Sequence, residues 1–596
     1  MKTMRVVDVL VNFLISKGIN TVFTVTGGGA MFLNDACALN KKIKTVCNHH
    51  EQACAMAAVG YSKFKNDYSA AILTTGCGAT NSLTGLLDAW QDNNPVVFIS
   101  GQVKRKETSY NASVRLRQFG VQEANIIEIV KSITKFSTMI NDPEEILYVL
   151  QEAFFLAKHG RPGPVWIDIP LDVQGALVEV NKLKEFKSKE LSIPLLKKSD
   201  IDRVDELLKN AKRPIIIAGN GIRLGNSIPS FKKFIEKNKI PYVTSYLSTD
   251  LLPTTNSNFI GRLGIKGDRA GNFALQNADL VISVGCHLSV ALTGFEYELF
   301  ARDAKLVVVD IDKEEHKKNT VKINQFIHTD ANSFFSNIPT KLNFSEWRKK
   351  CRYWKKKWTI FDPKYYSEKK LINKYVFIDF MQKNLKSNSV VVSDAGSSYY
   401  VTSQAFSPVK RQRYVTSGAQ ADMGFSLPAA IGVAFAHKKE FVVAITGDGS
   451  FQMNIQELQT MVHYNLPIKL VIWNNNGYLS IRTTQKKFFS GREIGTDPKS
   501  GVSFPDTKKI AKAYGIKYFQ SNKISNLNKV LKESFKYRGP VIIEIFNPPM
   551  QEIIPTTSSV RLDDGRMVSK PMEDMYPFLS REEFYNEMIV KPIDEK

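Results

Sequence analysis

The feature that most limits the fold is a short apolar run that recurs along the chain. NTVFTVTG, SAAILTTG, NPVVFISG, GPVWIDIP, RPIIIAGNG, ADLVISVG, AKLVVVDID, SVVVSDAG, EFVVAITGDG, IKLVIWNNN and PVIIEIF are its instances. Most are rich in β-branched residues, lack an in–out alternation and end in Gly, Asp or Asn. Strands buried on both faces of a parallel sheet read this way. Amphipathic helical stretches separate them, as parallel crossovers require. The fold class is therefore α/β, with doubly wound parallel sheets. At about 150 residues per domain, 596 residues predict three or four units. Connectors at about 178–200 and 335–370 divide the chain into blocks at 1–178, 198–335 and 370–550, with a polar tail over 551–596.

Composition excludes more than it selects. The six cysteines are scattered, with no CxxC pair, which argues against a disulfide framework or a zinc site and suits a reducing compartment. No run approaches the ~18 apolar residues of a membrane span, and VVDVLVNFLISKG is interrupted by Asp8 and Asn12, unlike a signal peptide. The expectation is a cytoplasmic, soluble protein with no membrane and no nucleic-acid partner. The net charge of +23 is spread over the whole chain and sits beside no nucleic-acid motif, so it reads as a solvated basic surface that attracts anions over distance.

One constellation carries chemistry. Gly447-Asp448-Gly449-Ser450 ends the strand EFVVAIT and precedes a helix, and Asn474-Asn475-Asn476-Gly477 ends the next strand, IKLVIW. A strand, Gly-rich turn and helix start present backbone N–H groups to a diphosphate. Asn475 stands 27 residues after Asp448, room for one helix and one returning strand, so both tips reach the carboxyl edge of the sheet where ligands of open α/β sheets bind. A carboxylate, an amide oxygen and a carbonyl oxygen are hard ligands for Mg²⁺, completed by phosphate and water. Either tip alone reads as a turn former; together they form a site.

This pairing is the thiamine diphosphate signature, and GDGSFQMNIQELQTMVHYNLPIKLVIWNNNGY and TSGAQADMGFSLPAAIGVA resemble the acetohydroxyacid synthase family. The resemblance implies thiamine diphosphate and Mg²⁺ as cofactors. Asp448, Asn475 and the Gly477 carbonyl are the metal ligands so implied, and Gly396, Ser397, Ser398, Gly449 and Ser450 the diphosphate contacts. Met423 matches the apolar wedge that bends the cofactor; without that context it reads as a core methionine. The three blocks become pyrimidine-binding, central and diphosphate-binding domains.

Thiamine chemistry needs a carboxylic group at the pyrimidine ring. VCNHHEQACAMAAVGYSKF offers Glu51 at a helix start, where a lone glutamate serves the helix dipole but the HEQ segment resembles the family's catalytic-glutamate segment. By the same resemblance, Gly28 in TGGGAMFLNDA lies over the pyrimidine, Asn81 in TTGCGATNSLTGLLDAW contacts cofactor, and Gln122 in FGVQEANIIEIV is an active-site glutamine. His50 is an acid–base candidate by position. In the family the glutamate block of one subunit faces the diphosphate block of another, which implies a homodimer or homotetramer.

The middle block and the tail depart from true acetohydroxyacid synthases. AGNGIRLG is a loose dinucleotide fingerprint that leaves FAD a candidate ligand beside a purely structural reading. CHLSVALTG, with His287, stands where the family has an arginine-rich segment. SSVRLDDGRMVSKPMEDMYPF resembles the ends of acetolactate-synthase-like proteins of surface-polysaccharide biosynthesis, which add a two-carbon unit from pyruvate to a nucleotide-linked keto-sugar. Arg561, Arg566 and Lys570 then meet a sugar-nucleotide diphosphate, or belong to a solvated tail, which is otherwise a candidate active-site cap. The leading acceptor is the keto-sugar, making a branched-chain sugar. A second 2-keto acid (an acetolactate product) and simple decarboxylation are alternatives. A flavin or nicotinamide oxidoreductase leaves GDG and NNN unexplained, and a non-catalytic regulator leaves the intact Glu51, Asp448 and Asn475 set unexplained.

Overall fold

A computed structural model describes residues 3–188, 194–339, 341–368, 370–438, 441–561 and 565–593. The apolar runs become three six-stranded sheets, parallel throughout. The first comprises Thr21–Thr24, Lys44–Cys47, Ser69–Leu73, Val96–Gln102, Phe136–Met139 and Val165–Pro170, and the third Val390–Ser393, Arg413–Thr416, Val442–Gly447, Ile468–Asn474, Lys517–Ser521 and Val541–Phe546. Counted in chain order within each sheet, both run second, first, third, fourth, sixth, fifth across space. The middle sheet starts from Pro214–Ala218 and runs third, second, first, fourth, fifth, sixth. Strand centres are buried on both faces, as at Val442–Ile445 and Ile468–Trp473, which explains the missing alternation.

Two alanine-rich helices hold the outer sheets together. Glu51–Lys65 from the first block packs along Ser426–Ala436 from the third. A side chain at Gly432 would place its Cβ 1.9 Å from the Ala57 carbonyl, and one at Gly60 2.4 Å from the Ala429 carbonyl, so backbones touch where only glycine fits.

The connector composition of 335–370 hides a helix, Ser345–Lys357, whose Trp347 and Trp354 are buried in the middle block's core. The tail docks on the same side. Glu587 accepts from Trp354 Nε1 (2.8 Å), Lys350 (2.7 Å) and Lys357 (2.8 Å), and Glu573 accepts from Gln276 (2.7 Å) and Arg302 (2.6 Å). Charged lysines on that helix therefore form a cage for tail carboxylates instead of a loose linker. The Arg561 side chain lies outside the described residues; Arg566 is exposed, and Lys570 lies 3.5 Å from Asp574.

Candidate active site

Strand order places the site before any side chain is considered. In the third sheet the order reverses between Val390–Ser393 and Val442–Gly447, and ligands of open α/β sheets bind at such a switch point. There Asp394, which the sequence reading passes over, is fully buried and accepts from Ser398 Oγ (2.5 Å), Ser450 Oγ (2.7 Å), Thr446 Oγ1 (2.7 Å) and the Ala395 N–H (2.7 Å). Burial raises its carboxyl above the ordinary range, opposed by these donors. The hydroxyls of Ser398 and Ser450 thus clamp two loops onto Asp394. Gly396, with φ +59°, turns the chain into the helix Gly396–Ala405, and Ser397 lies buried in its first turn. The open N–H groups of that turn remain for a diphosphate.

Asp448 ends the neighbouring strand and is 6% exposed. Its carboxylate accepts from the Gly449 N–H (2.9 Å), the Asn475 N–H (3.0 Å) and the Gly477 N–H (3.1 Å). Burial outweighs these bonds and pushes its carboxyl up to about 6, as expected for an anion that waits for a cation. The Asn475 amide lies 2.5 Å from the Gly477 carbonyl. Turning that amide over aims its oxygen beside Gly477 O and Asp448, a set of hard donors that fits Mg²⁺. Gly477, at φ +142°, has no room for a Cβ, which would sit 2.0 Å from Arg482 Nη2, and a Cβ at Gly449 would meet Tyr478 at 2.1 Å. Behind Asp448 lies Lys374, 0% exposed, whose Nζ has no partner among the described residues and which burial lowers to about 7.

In the first sheet the corresponding reversal lies between Thr21–Thr24 and Ser69–Leu73. Gly27 packs on Thr74 and Gly29 on Thr75, whereas Gly28 faces open space. Glu51 opens its helix 9% exposed and accepts from Asn81 Nδ2 at 3.0 Å through Oε2. A Cβ at Gly78 would come within 3.1 Å of Oε1. His50 is the cap of the same helix, its Nδ1 accepting from the Gln52 N–H at 3.1 Å, so that nitrogen is occupied. Gln122 has φ +60° and an exposed side chain, and its carbonyl presses on Gly76. Glu51, Asn81, Gly28 and Gln122 thus share one sheet edge.

Several cross-block hydrogen bonds join the two edges. Asn454 Nδ2 donates to Gln52 Oε1 (3.1 Å), Asn48 Nδ2 to Glu457 Oε2 (2.9 Å), and the His49 N–H to Glu457 Oε1 (2.9 Å). The hydrogen bonds of Glu51 itself stay within its own block. Lys63 donates to Asp88 and Asp92, both at 2.7 Å, and Asp92 accepts from the Gly418 and Ala419 N–H groups. Met423 follows that segment, half-buried, and belongs to no apolar core among the described residues. Asp394, Gln52 and Asn454 lie inside quoted segments and Lys374 lies 15 residues before SVVVSDAG, but nothing in their residue type separates them from ordinary loop and cap residues.

A helix-start cradle with a buried oxygen-donor set on one sheet, and a buried glutamate at the edge of a second sheet of the same topology, define an enzyme of the thiamine diphosphate class. Residues 4–129, 201–338 and 394–545 match the N-terminal TPP binding domain, the central domain and the C-terminal TPP binding domain of thiamine pyrophosphate enzymes. Acetolactate synthase 2, chloroplastic, of Nicotiana tabacum is 31% identical over 93% of this chain and 83% of its own length. The acetolactate synthase isozyme 2 large subunit of Escherichia coli (strain K12) is 29% identical over 92% and 96%, and the chloroplastic acetolactate synthase of Arabidopsis thaliana 30% over 93% and 82%. The chain belongs to the thiamine pyrophosphate enzymes, as a thiamine-diphosphate-dependent enzyme of acetolactate synthase type.

Proposed function

We propose that the chain decarboxylates a 2-keto acid, pyruvate, and transfers the two-carbon unit to the carbonyl of a nucleotide-linked keto-sugar. The observation that carries the carboligase reading is the Asp448, Asn475 and Gly477 set at the edge of the third sheet, together with a buried glutamate at the edge of the first sheet, one carboxylate oxygen of which is held by Asn81. When bound, thiamine diphosphate supplies an electron sink for the carbanion left at the keto carbon as CO₂ departs. Asp448, Asn475 and the Gly477 carbonyl hold Mg²⁺, and the first turn of Gly396–Ala405 with Gly449 binds the diphosphate. Glu51 holds a proton at Oε1 toward the pyrimidine, Oε2 being engaged. Gln122 orients substrate, and Met423 supplies the apolar support under the bend.

The polar tail and the loss of the arginine-rich segment around His287 support the sugar acceptor. The named relatives support a second reading, in which another 2-keto acid accepts the unit and acetolactate forms. NMR of pyruvate consumption with no acceptor, 2-ketobutyrate or a nucleotide-linked 4-keto-sugar separates them. Turnover that accelerates only with the keto-sugar supports sugar branching, fast acetolactate formation from pyruvate alone supports the synthase, and no pyruvate loss removes the donor assignment.

Three subsidiary assignments accompany this reading. Exposed apolar side chains beside Gln122 (Val114, Phe119 and Val121, the last 82% exposed) and others at Ile481, Phe489 and Ile494 support burial in a homodimer or homotetramer. FAD fits the middle turn poorly: the Gly219 N–H donates to Val284 O and the Gly221 N–H to Gly285 O, both 2.9 Å, so those amides are spent within the domain. No helix among the described residues is long and apolar enough to cross a membrane, and the six cysteines are free, which supports a cytoplasmic setting.

A further inference from the structure

All three α/β blocks meet at a cavity of about 240 Å³, away from the Asp448 and Glu51 edges. Lys63 and Asn94 line it from the first block, Asn220 and Arg223 from the middle block, and Arg413 and Thr416 from the third. Its wall is rich in donors, with Asp92 the one carboxylate among the lining residues. Lys63 is saturated by Asp88, Asp92 and the Thr416 carbonyl, and each nitrogen of Arg413 is engaged, by Asp250 and the Lys63 and Phe64 carbonyls. Arg223 is different. It is 9% exposed and, among the described residues, its side chain makes one hydrogen bond, from Nη2 to Asp250 Oδ1 at 2.5 Å. Asp250 is shared with Arg413, so two guanidinium charges stand on one carboxylate. Burial and the nearby Arg413 lower Arg223 to about 10, against the pull of Asp250. Asn94 is also buried, and its Nδ2 donates to nothing among the described residues.

Two largely buried guanidiniums that share one carboxylate leave positive charge uncompensated at the cavity wall, and an anion bound there offsets it. The geometry points to a binding site for a small oxyanion, a phosphate or a short-chain carboxylate, held by the Arg223 fork at the junction of the three domains, with Asn94 lining its wall. A planar carboxylate or a phosphate face meets an arginine fork with two parallel bonds. The space admits an anion of a few heavy atoms together with solvent. Because its walls come from three domains, the anion fastens them together and stabilises the assembled chain by mass action.

The test uses full-length enzyme saturated with thiamine diphosphate and Mg²⁺, titrated calorimetrically at constant ionic strength with inorganic phosphate or with propionate, a carboxylate that has no keto group to react. Saturable binding of one anion per chain is expected for at least one of them, with a rise in melting temperature. The anion that binds tells phosphate from carboxylate. Asn94→Asp, nearly isosteric and of opposing charge, is expected to weaken binding at least tenfold, as is Arg223→Leu, which leaves Asp250 its Arg413 partner. No saturable binding of either anion to the parent enzyme, or binding unchanged in Asn94→Asp, overturns the proposal even where Arg223→Leu fails to fold.

Discussion

Asn81 Nδ2 holds Glu51 Oε2 at 3.0 Å, so the glutamate at the helix start is fixed through one oxygen and keeps the other for the role proposed for it. Glu51→Gln keeps the shape and removes the acid. Its turnover of 2-keto acid is expected to fall by about 10²–10⁴, the usual span for acid–base groups, with thiamine diphosphate affinity nearly unchanged. Asn81→Ala leaves the carboxylate present but untethered, and a smaller loss in kcat is expected. Steady-state CO₂ release and cofactor titration read both, and near-normal turnover of Glu51→Gln would remove the glutamate from the chemistry.

The pH dependence of metal binding follows from Asp448. Its carboxyl is raised by burial to about 6, so the folded apo-protein holds that proton more tightly than the unfolded chain does. The group therefore contributes stability below the ordinary carboxylate range, and that contribution is lost as pH rises through about 6. A divalent cation must displace the proton. Apparent Mg²⁺ affinity should be flat above pH 7 and weaken about fivefold between pH 6 and 5, with proton release in that window. Asp448→Asn should remove the pH step and most of the affinity. Calorimetry in two buffers of different ionisation enthalpy measures the proton count.

Much of this was legible in sequence because it rests on patterns that repeat. Doubly buried strands announce themselves by composition, as EFVVAIT and IKLVIW do, and the two tips Asp448 and Asn475 follow from strand adjacency. What stayed hidden depends on long-range partners. Ser398 and Ser450 read as diphosphate contacts, yet their hydroxyls meet at Asp394, 52 to 56 residues from Thr446 and Ser450. Lysines of 345–357 read as linker until Glu587, more than 200 residues away, places a carboxylate among them. A cavity shared by three domains leaves no local trace.

The helix contact that joins the outer blocks is testable through its glycines. Gly432→Val puts methyls against the Ala57 carbonyl, where even a Cβ would stand at 1.9 Å, so the helices must separate. Overpacking of this kind costs about 1–3 kcal/mol. Because Glu51 opens the displaced helix, activity should fall along with the melting temperature. Gly60→Ala, against the Ala429 carbonyl, should act in the same direction, and the pair should be non-additive because both act on one interface. Denaturant melts of the single and double variants decide this.

Asp394 offers the sharpest separation of clamp from cofactor contact. Asp394→Ala strips three hydroxyls, those of Ser398, Thr446 and Ser450, of their shared acceptor, and each buried unsatisfied donor costs about 1–3 kcal/mol before relaxation. Ser398→Ala removes one donor and leaves the others engaged, so its cost should be near 1 kcal/mol. If those hydroxyls served mainly to bind diphosphate, Ser398→Ala would weaken cofactor binding while leaving the apo-protein's stability unchanged. The clamp predicts the reverse order: lower apo stability in both variants, far lower in Asp394→Ala, with cofactor affinity following only as the Gly396 turn loosens. Melting of apo-protein beside thiamine diphosphate titration, for each variant, distinguishes the two.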